Sequence, residues 1–332
     1  MMKQQFLSDI ERAALTIYTQ VQTTITKADL ILPEVYTPNK MFSVFIDKEP
    51  VVPSSTMMIA TNRSDPPYVV SRVEQGIFKL GAYSVSTDVP VIDIEDYRRA
   101  ISIGHRYPGP MERAIRSLKR VYSISNEMDC AKIIMDPASY YVDNVIPASA
   151  PWIGAGSDPI TWKTDIEEAI DRLDIEDDSK LKLIVPKSIW KKLKGSILAG
   201  DKVNFGSISL ILQSDKTKIA EILGVNEVIV VEDTTKYGAE MYGSSNVALI
   251  AVSPLMSTME SGFGFGYKAV QYKDHLDTTK DDIKGEKEGV LEMALKWAQT
   301  YYVLNNKAGI LFTNVSGALK APKQSKTETK PE

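Results

Sequence analysis

A chain of 332 residues, 43% apolar and 25% charged, has the composition of a globular protein and can bury one large core or two ordinary ones. A net charge of −4 argues against a surface that grips nucleic acid throughout, because such binding needs dense lysine and arginine. Two histidines, His105 and His275, and the single cysteine Cys130 leave no material for an intrachain disulfide or a His/Cys zinc site. Cys130 is expected as a buried apolar group in a reducing compartment, and no cofactor is expected. Residues 1–29 mix charges with apolar residues and lack the apolar block of a secretory signal. No run approaches the roughly 18 apolar residues that a membrane span requires, so no membrane partner is expected.

Phe6, Ile10, Ala13, Ala14, Ile17 and Val21 recur at helical spacing, which predicts an N-terminal arm, 1–38, carrying one helix. From Met41 to Val91 the texture changes to short β-prone runs, Phe42–Ile46, Tyr68–Val73 and Ala82–Val91, and Val85, Thr87, Val89 and Val91 alternate strictly. Midway stand Asn62, Arg63, Ser64, Asp65, Pro66 and Pro67, residues suited to the exposed tip of a long hairpin spanning 39–92. A two-stranded ribbon of that length is marginal in water and needs a neighbour to lie on.

Asp93 is a candidate N-cap for a short helix to Ile103, and Pro108-Gly109-Pro110 breaks it. Pro110 then opens a helix to about Met135, halted by Asp136-Pro137. At ~1.5 Å per residue, about 25 residues make a spine close to 40 Å long. Met111, Ala114, Ile115, Leu118, Val121 and Tyr122 share its apolar face, and beyond Tyr122 the pattern blurs. Arg113, Arg116 and Arg120 fall opposite, either as a solvated polar face or as a stripe that meets phosphate.

Helix and strand alternate from Asp158-Pro159 onward: Trp162 to Leu173 as helix, Leu181–Val185 as strand, Ile189 to Leu193 as helix, and Ile219 to Leu223 as helix closed by Gly224. Strands at Val228–Val231 and Val247–Val252 complete an α/β unit. Leu291 to Val303 fits strand and helix periodicity equally well. Gly262-Phe263-Gly264-Phe265-Gly266 lacks the spacing of a dinucleotide fingerprint and the Lys-Ser/Thr of a P-loop, and is expected to allow close backbone approach in a strand. Residues 321–332 have the composition of a disordered tail.

Taken in order, these elements resemble the Hong Kong 97 fold of tailed-bacteriophage major capsid proteins, from about Phe6 to Val315. The residues that carry the resemblance are Tyr97 to Tyr141, with Glu127-Met128-Asp129-Cys130-Ala131 near the spine end, then Trp162 to Leu173 and Leu181 to Leu193. Ile219 to Val225 leading into the Val228 strand, and Ala308-Gly309-Ile310-Leu311, extend it. The resemblance implies an α+β fold: arm 1–38, extended loop 39–92, peripheral domain 93–157 with the spine helix, axial domain 158–255, peripheral return strands 256–318 and tail 319–332. It implies that Leu291–Val303 is a strand.

It further implies a structural subunit, not an enzyme, that assembles with copies of itself into hexamers and pentamers of an icosahedral shell around double-stranded DNA. Portal and scaffold or head-maturation proteins are the implied partners, and the virion capsid, assembled in the host cytoplasm, the implied location. The tip residues Asn62 to Pro67 are expected between subunits, and Arg113, Arg116 and Arg120 are candidates to face DNA by non-specific contact. An encapsulin-type shell around protein cargo is the sister expectation. A soluble α/β metabolic enzyme using Gly262–Gly266 is the alternative from another class.

Overall fold

The computed structural model describes residues 12–21, 26–48, 72–104, 107–153, 161–173, 179–200, 216–235, 238–253, 264–281 and 289–316. The chain divides into two compact units, Met1–Ile133 with Val252–Asn305, and Ile134–Ala251 with Asn306–Glu332. The hairpin tip Asn62–Pro67, the Asp158-Pro159 pair, His105 and the 319–332 tail lie outside the described residues.

In the first unit, helix α1 (12–20) and the single turn α2 (Ala28–Ile31) lead to β1 (Glu34–Tyr36). Strands β2 (Met41–Lys48) and β3 (Arg72–Lys79) pair antiparallel as a separate two-stranded ribbon, in register from Met41–Lys79 to Lys48–Arg72. Strand β4 (Gly81–Pro90) runs into α3 (Val91–Ser102), and α4 (Pro110–Ile134) is the 25-residue spine. Late in the chain, β9 (Gly266–Asp281) and β10 (Val290–Val303) complete a sheet of order β1-β9-β10-β4.

Two expectations change here. The Val85–Val89 alternation belongs to this sheet and not to the ribbon, because β4 pairs with β10 from Gly81–Gln299 to Pro90–Val290. Its period reflects a two-sided environment: Val85 and Val89 turn to the core while Ser84, Ser86 and Asp88 are exposed. Asp93 is not the N-cap of α3, which starts two residues earlier after Pro90; it lies in the first turn, where its charge suits the helix dipole.

The ambiguous Leu291–Val303 run is a strand because β10 is held on both sides, antiparallel to β9 and to β4. Its Leu291, Met293, Leu295 and Trp297 form one core with Met111, Ile115, Leu118 and Tyr122 of α4 and Ile94 of α3. A register shift between Lys296 and Gln299 then lets neighbouring Tyr301 and Tyr302 both be buried. Val121 is the exception on α4; it is exposed at the rim of the stripe. Gly266 opens β9 where an added Cβ would overlap the Tyr302 carbonyl oxygen, the close backbone approach expected of this glycine.

In the second unit, β5 (Val145–Pro147), β6 (Lys180–Pro186), β7 (Glu227–Val231), β8 (Val247–Val252) and β11 (Gly309–Thr313) form a sheet of order β5-β11-β8-β6-β7. Helices α5 (Thr161–Arg172), α6 (Lys187–Gly200) and α7 (Lys216–Ile222) alternate with the strands, and β6 and β7 are parallel. Gly224 ends α7 in the left-handed region, at φ 69°, as its position after the helix predicts. Gly309–Thr313, expected among the peripheral return strands, instead pairs with β8 and β5 in this sheet. Strands β8 and β11 are buried almost throughout, which is why both are continuous apolar runs without alternation.

Candidate assembly surfaces and a buried polar cluster

The ribbon β2–β3 is hydrogen-bonded to no other strand among the described residues. Tyr36 and Met41, at its root, are exposed. A second apolar surface surrounds α3, where Ile92, Ile101 and Tyr107 are exposed and Ile103 is 76% accessible. Only Ile94 of α3 is buried, so this helix offers most of its circumference to solvent.

Arg113, Arg116 and Arg120 lie exposed on one face of α4, as their spacing of three and four predicts. Arg116 pairs with Glu112 at 2.5 Å, which offsets part of the stripe's charge within the helix itself. The neighbouring Lys119 is 7% exposed and turns away from the stripe, donating to the carbonyls of Tyr18, at 3.0 Å, and Val21. Its ammonium sits 4.1 Å from the Tyr18 ring centroid, and burial lowers its pKa.

A buried polar cluster joins α2, α4, β9 and β10. Thr26 and Asp29 cap one another, Thr26 N to Asp29 Oδ2 at 3.1 Å and Asp29 N to Thr26 Oγ1 at 3.4 Å. Asn126 of α4, fully buried, donates from Nδ2 to Thr26 Oγ1 at 2.6 Å and to Asp29 Oδ1 at 3.0 Å. Its Oδ1 accepts from Gln299 Nε2 at 2.8 Å and from the Tyr301 hydroxyl at 2.6 Å. Lys268 of β9, also fully buried, donates to the same Asp29 Oδ1 at 2.7 Å and to Glu34 Oε1 at 3.1 Å. Lys273 meets the other Glu34 oxygen at 2.5 Å. Two lysines thus face two carboxylates, and all four hydrogen-bonding sites of the Asn126 amide are used.

These contacts set the protonation states. Burial pushes the Asp29 carboxyl up, but hydrogen bonds from Lys268, Thr26 and Asn126, with the Lys268 charge, outweigh it and hold the group at about 2. Burial lowers Lys273 and the Glu34 carboxylate more than offsets it, so its pKa rises. Tyr301 is pushed far above the ordinary phenol value, chiefly by burial, and remains a hydrogen-bond donor.

A two-stranded ribbon, a long spine helix against a mostly antiparallel sheet, and an α/β unit define the Hong Kong 97-type shell fold, and the chain has that fold. It is similar to a phage-related protein from Bordetella bronchiseptica, at 17% identity over 92% of this chain and 97% of that one, with a TM-score of 0.57. It is similar to the capsid of the cyanophage P-SCSP1u, at 10% identity over 84% of each chain and a TM-score of 0.53. The holo encapsulin complex from Synechococcus elongatus follows, at 13% identity over 89% of each chain and a TM-score of 0.51. At these identities the likeness is one of fold. No protein-family profile and no curated protein matches the chain in sequence.

Proposed function

We propose that the chain is the repeating subunit of a tailed-phage head, assembling with copies of itself into hexamers and pentamers of a closed shell around double-stranded DNA. The observation that carries this reading is the shell fold over nearly the whole chain, joined to a ribbon that pairs with no further strand among the described residues and to exposed apolar residues around α3. Such surfaces are stabilised when neighbours cover them, and a head-to-tail contact that repeats around an axis closes a ring. In that role the chain resides in the virion capsid after assembly in the host cytoplasm, with portal and scaffold or maturation proteins as partners. Arg113, Arg116 and Arg120 then face the packaged DNA, where contact with phosphate needs no base recognition.

Electron microscopy of the purified chain, alone and with a scaffold, tests the assembly, and nuclease-protected nucleic acid in the particles tests the contents. Monodisperse monomers at every concentration and salt would refute the shell. Closed particles that retain a protein passenger and no DNA favour the encapsulin-type reading, which the similar fold of the Synechococcus elongatus complex supports.

A further inference from the structure

Helix α3 carries a stripe that is complementary to itself when turned end for end. Ile94 is buried on the inner side of the helix, and Tyr97 meets the Tyr107 ring edge-on at 5.3 Å. On the outer side, at about 100° per residue, Ile92, Asp96, Arg99 and the capping Ile103 fall within about 60° of one another and opposite Ile94. All four are exposed, and Asp96 pairs with Arg99 within the helix at 3.5 Å. An exposed ion pair adds little to the subunit's own stability, and the two isoleucines at the ends of the stripe lie outside its core. Their spacing of four, three and four residues is that of the seam between paired helices.

We propose that this stripe is a two-fold contact, in which α3 of one subunit packs antiparallel on α3 of a second copy of the chain. About an axis midway along the helix, Ile92 meets Ile103 of the second copy at each end, and Asp96 meets its Arg99 twice in the middle. Four charges then alternate in sign between two apolar layers. A parallel pairing would set Asp96 on Asp96 and Arg99 on Arg99, so the charge order selects the antiparallel one. The contact rests on the shell reading above and supplies what head-to-tail contacts do not: they close rings, and an isologous contact joins one ring to the next. A helix of 12 residues is ~18 Å long, so a single contact is too small to hold a dimer in solution and acts by repetition around the shell.

Ile92→Cys combined with Ile103→Cys in the full chain, assembled and mildly oxidised, is expected to give disulfide-linked dimers on a denaturing gel. Ile92→Cys alone should not, because its two copies stand about 16 Å apart in an antiparallel pair. Cys130 is fully buried and adds no background. Asp96→Arg or Arg99→Asp alone sets four like charges together and should cut the yield of closed particles roughly tenfold or more, while the two exchanged together should restore it. All four side chains are exposed, so these changes leave the core untouched. Closed particles without the dimer band, or single reversals at wild-type yield, overturn the contact and leave the shell standing. A loss that the exchanged pair does not restore also overturns it and assigns the face to a different partner. Absence of particles from the wild-type chain overturns the shell reading itself, and the dimer band then decides the contact alone.

Discussion

Lys119 reaches from the spine to the carbonyl of Val21, just past the end of α1, and closes that helix with a charge carried by α4. A cation at a helix C-terminus satisfies orphan carbonyls and complements the dipole. Lys119→Met should therefore cost roughly 1–2 kcal/mol and loosen α1 before the rest of the unit. Hydrogen exchange over residues 12–20 checks this; unchanged protection there would show that Ala14 and Ile17 hold the helix without the cap.

Gly266 admits no side chain. Its Cβ position overlaps the Tyr302 carbonyl oxygen, and a strand backbone inside a sheet cannot step aside as a side chain could. Gly266→Ala should destabilise the unit by about 3 kcal/mol through forced separation of β9 from β10, read as a lowered midpoint in urea.

Acid should act through Asp29. Its folded pKa, about 2, lies below the ordinary 3.8, so its contribution is complete above about pH 4 and is lost as the pH falls toward 2. In the wild-type chain this limb should span about 2 kcal/mol in urea titrations, and it should shrink in Asn126→Ala, which removes one of the hydrogen bonds that hold the carboxylate down. Identical limbs in the two proteins would show that the Asn126 hydrogen bond does not set this carboxylate.

Replacing Arg113, Arg116 and Arg120 together with Gln should leave empty particles intact and weaken DNA-filled ones, most at low salt where screening is least. Thermal release of DNA across a salt series measures it. Equal loss in empty and filled particles would assign the stripe to a contact between subunits.

Shortening the hairpin between Thr56 and Tyr68 to a Gly-Ser turn should leave a folded, soluble subunit that does not close shells. Amides of β2 and β3 should exchange freely in the subunit and be protected in particles. Full protection in the free subunit, or normal particles from the shortened chain, would remove the inter-subunit role.

Much of the architecture was legible because periodicity tracks burial. Met111, Ile115, Leu118 and Tyr122 marked the buried face of α4, and Gly224 marked a helix end. What escaped was polar. The stripe on α4 blurs after Tyr122 because its next buried position is Asn126, followed by Cys130 and Ile134 at the same spacing. An amide in line with an apolar stripe was the available signal for the cluster, and it reads as interruption until its partners are known. Lys268 gave less: a lysine in a strand is ordinarily exposed, and its two carboxylates lie more than two hundred residues earlier. The β10 strand was undecided because pairing on both sides, and not local period, fixes it.

The placement of β9 and β10 near the end of the sequence has a consequence during synthesis. The apolar face of α4 leaves the ribosome long before Leu291, Met293, Leu295 and Trp297, the residues that cover it. Between them comes most of the second unit, whose β6, α6, α7 and β7 are close in sequence and can collapse early. The nascent chain thus carries a folded insert beside a bare spine, a species prone to aggregate. Production of this protein should depend on translation speed and holdase chaperones more than its final stability suggests, and fusions that release the chain before Val303 should be insoluble.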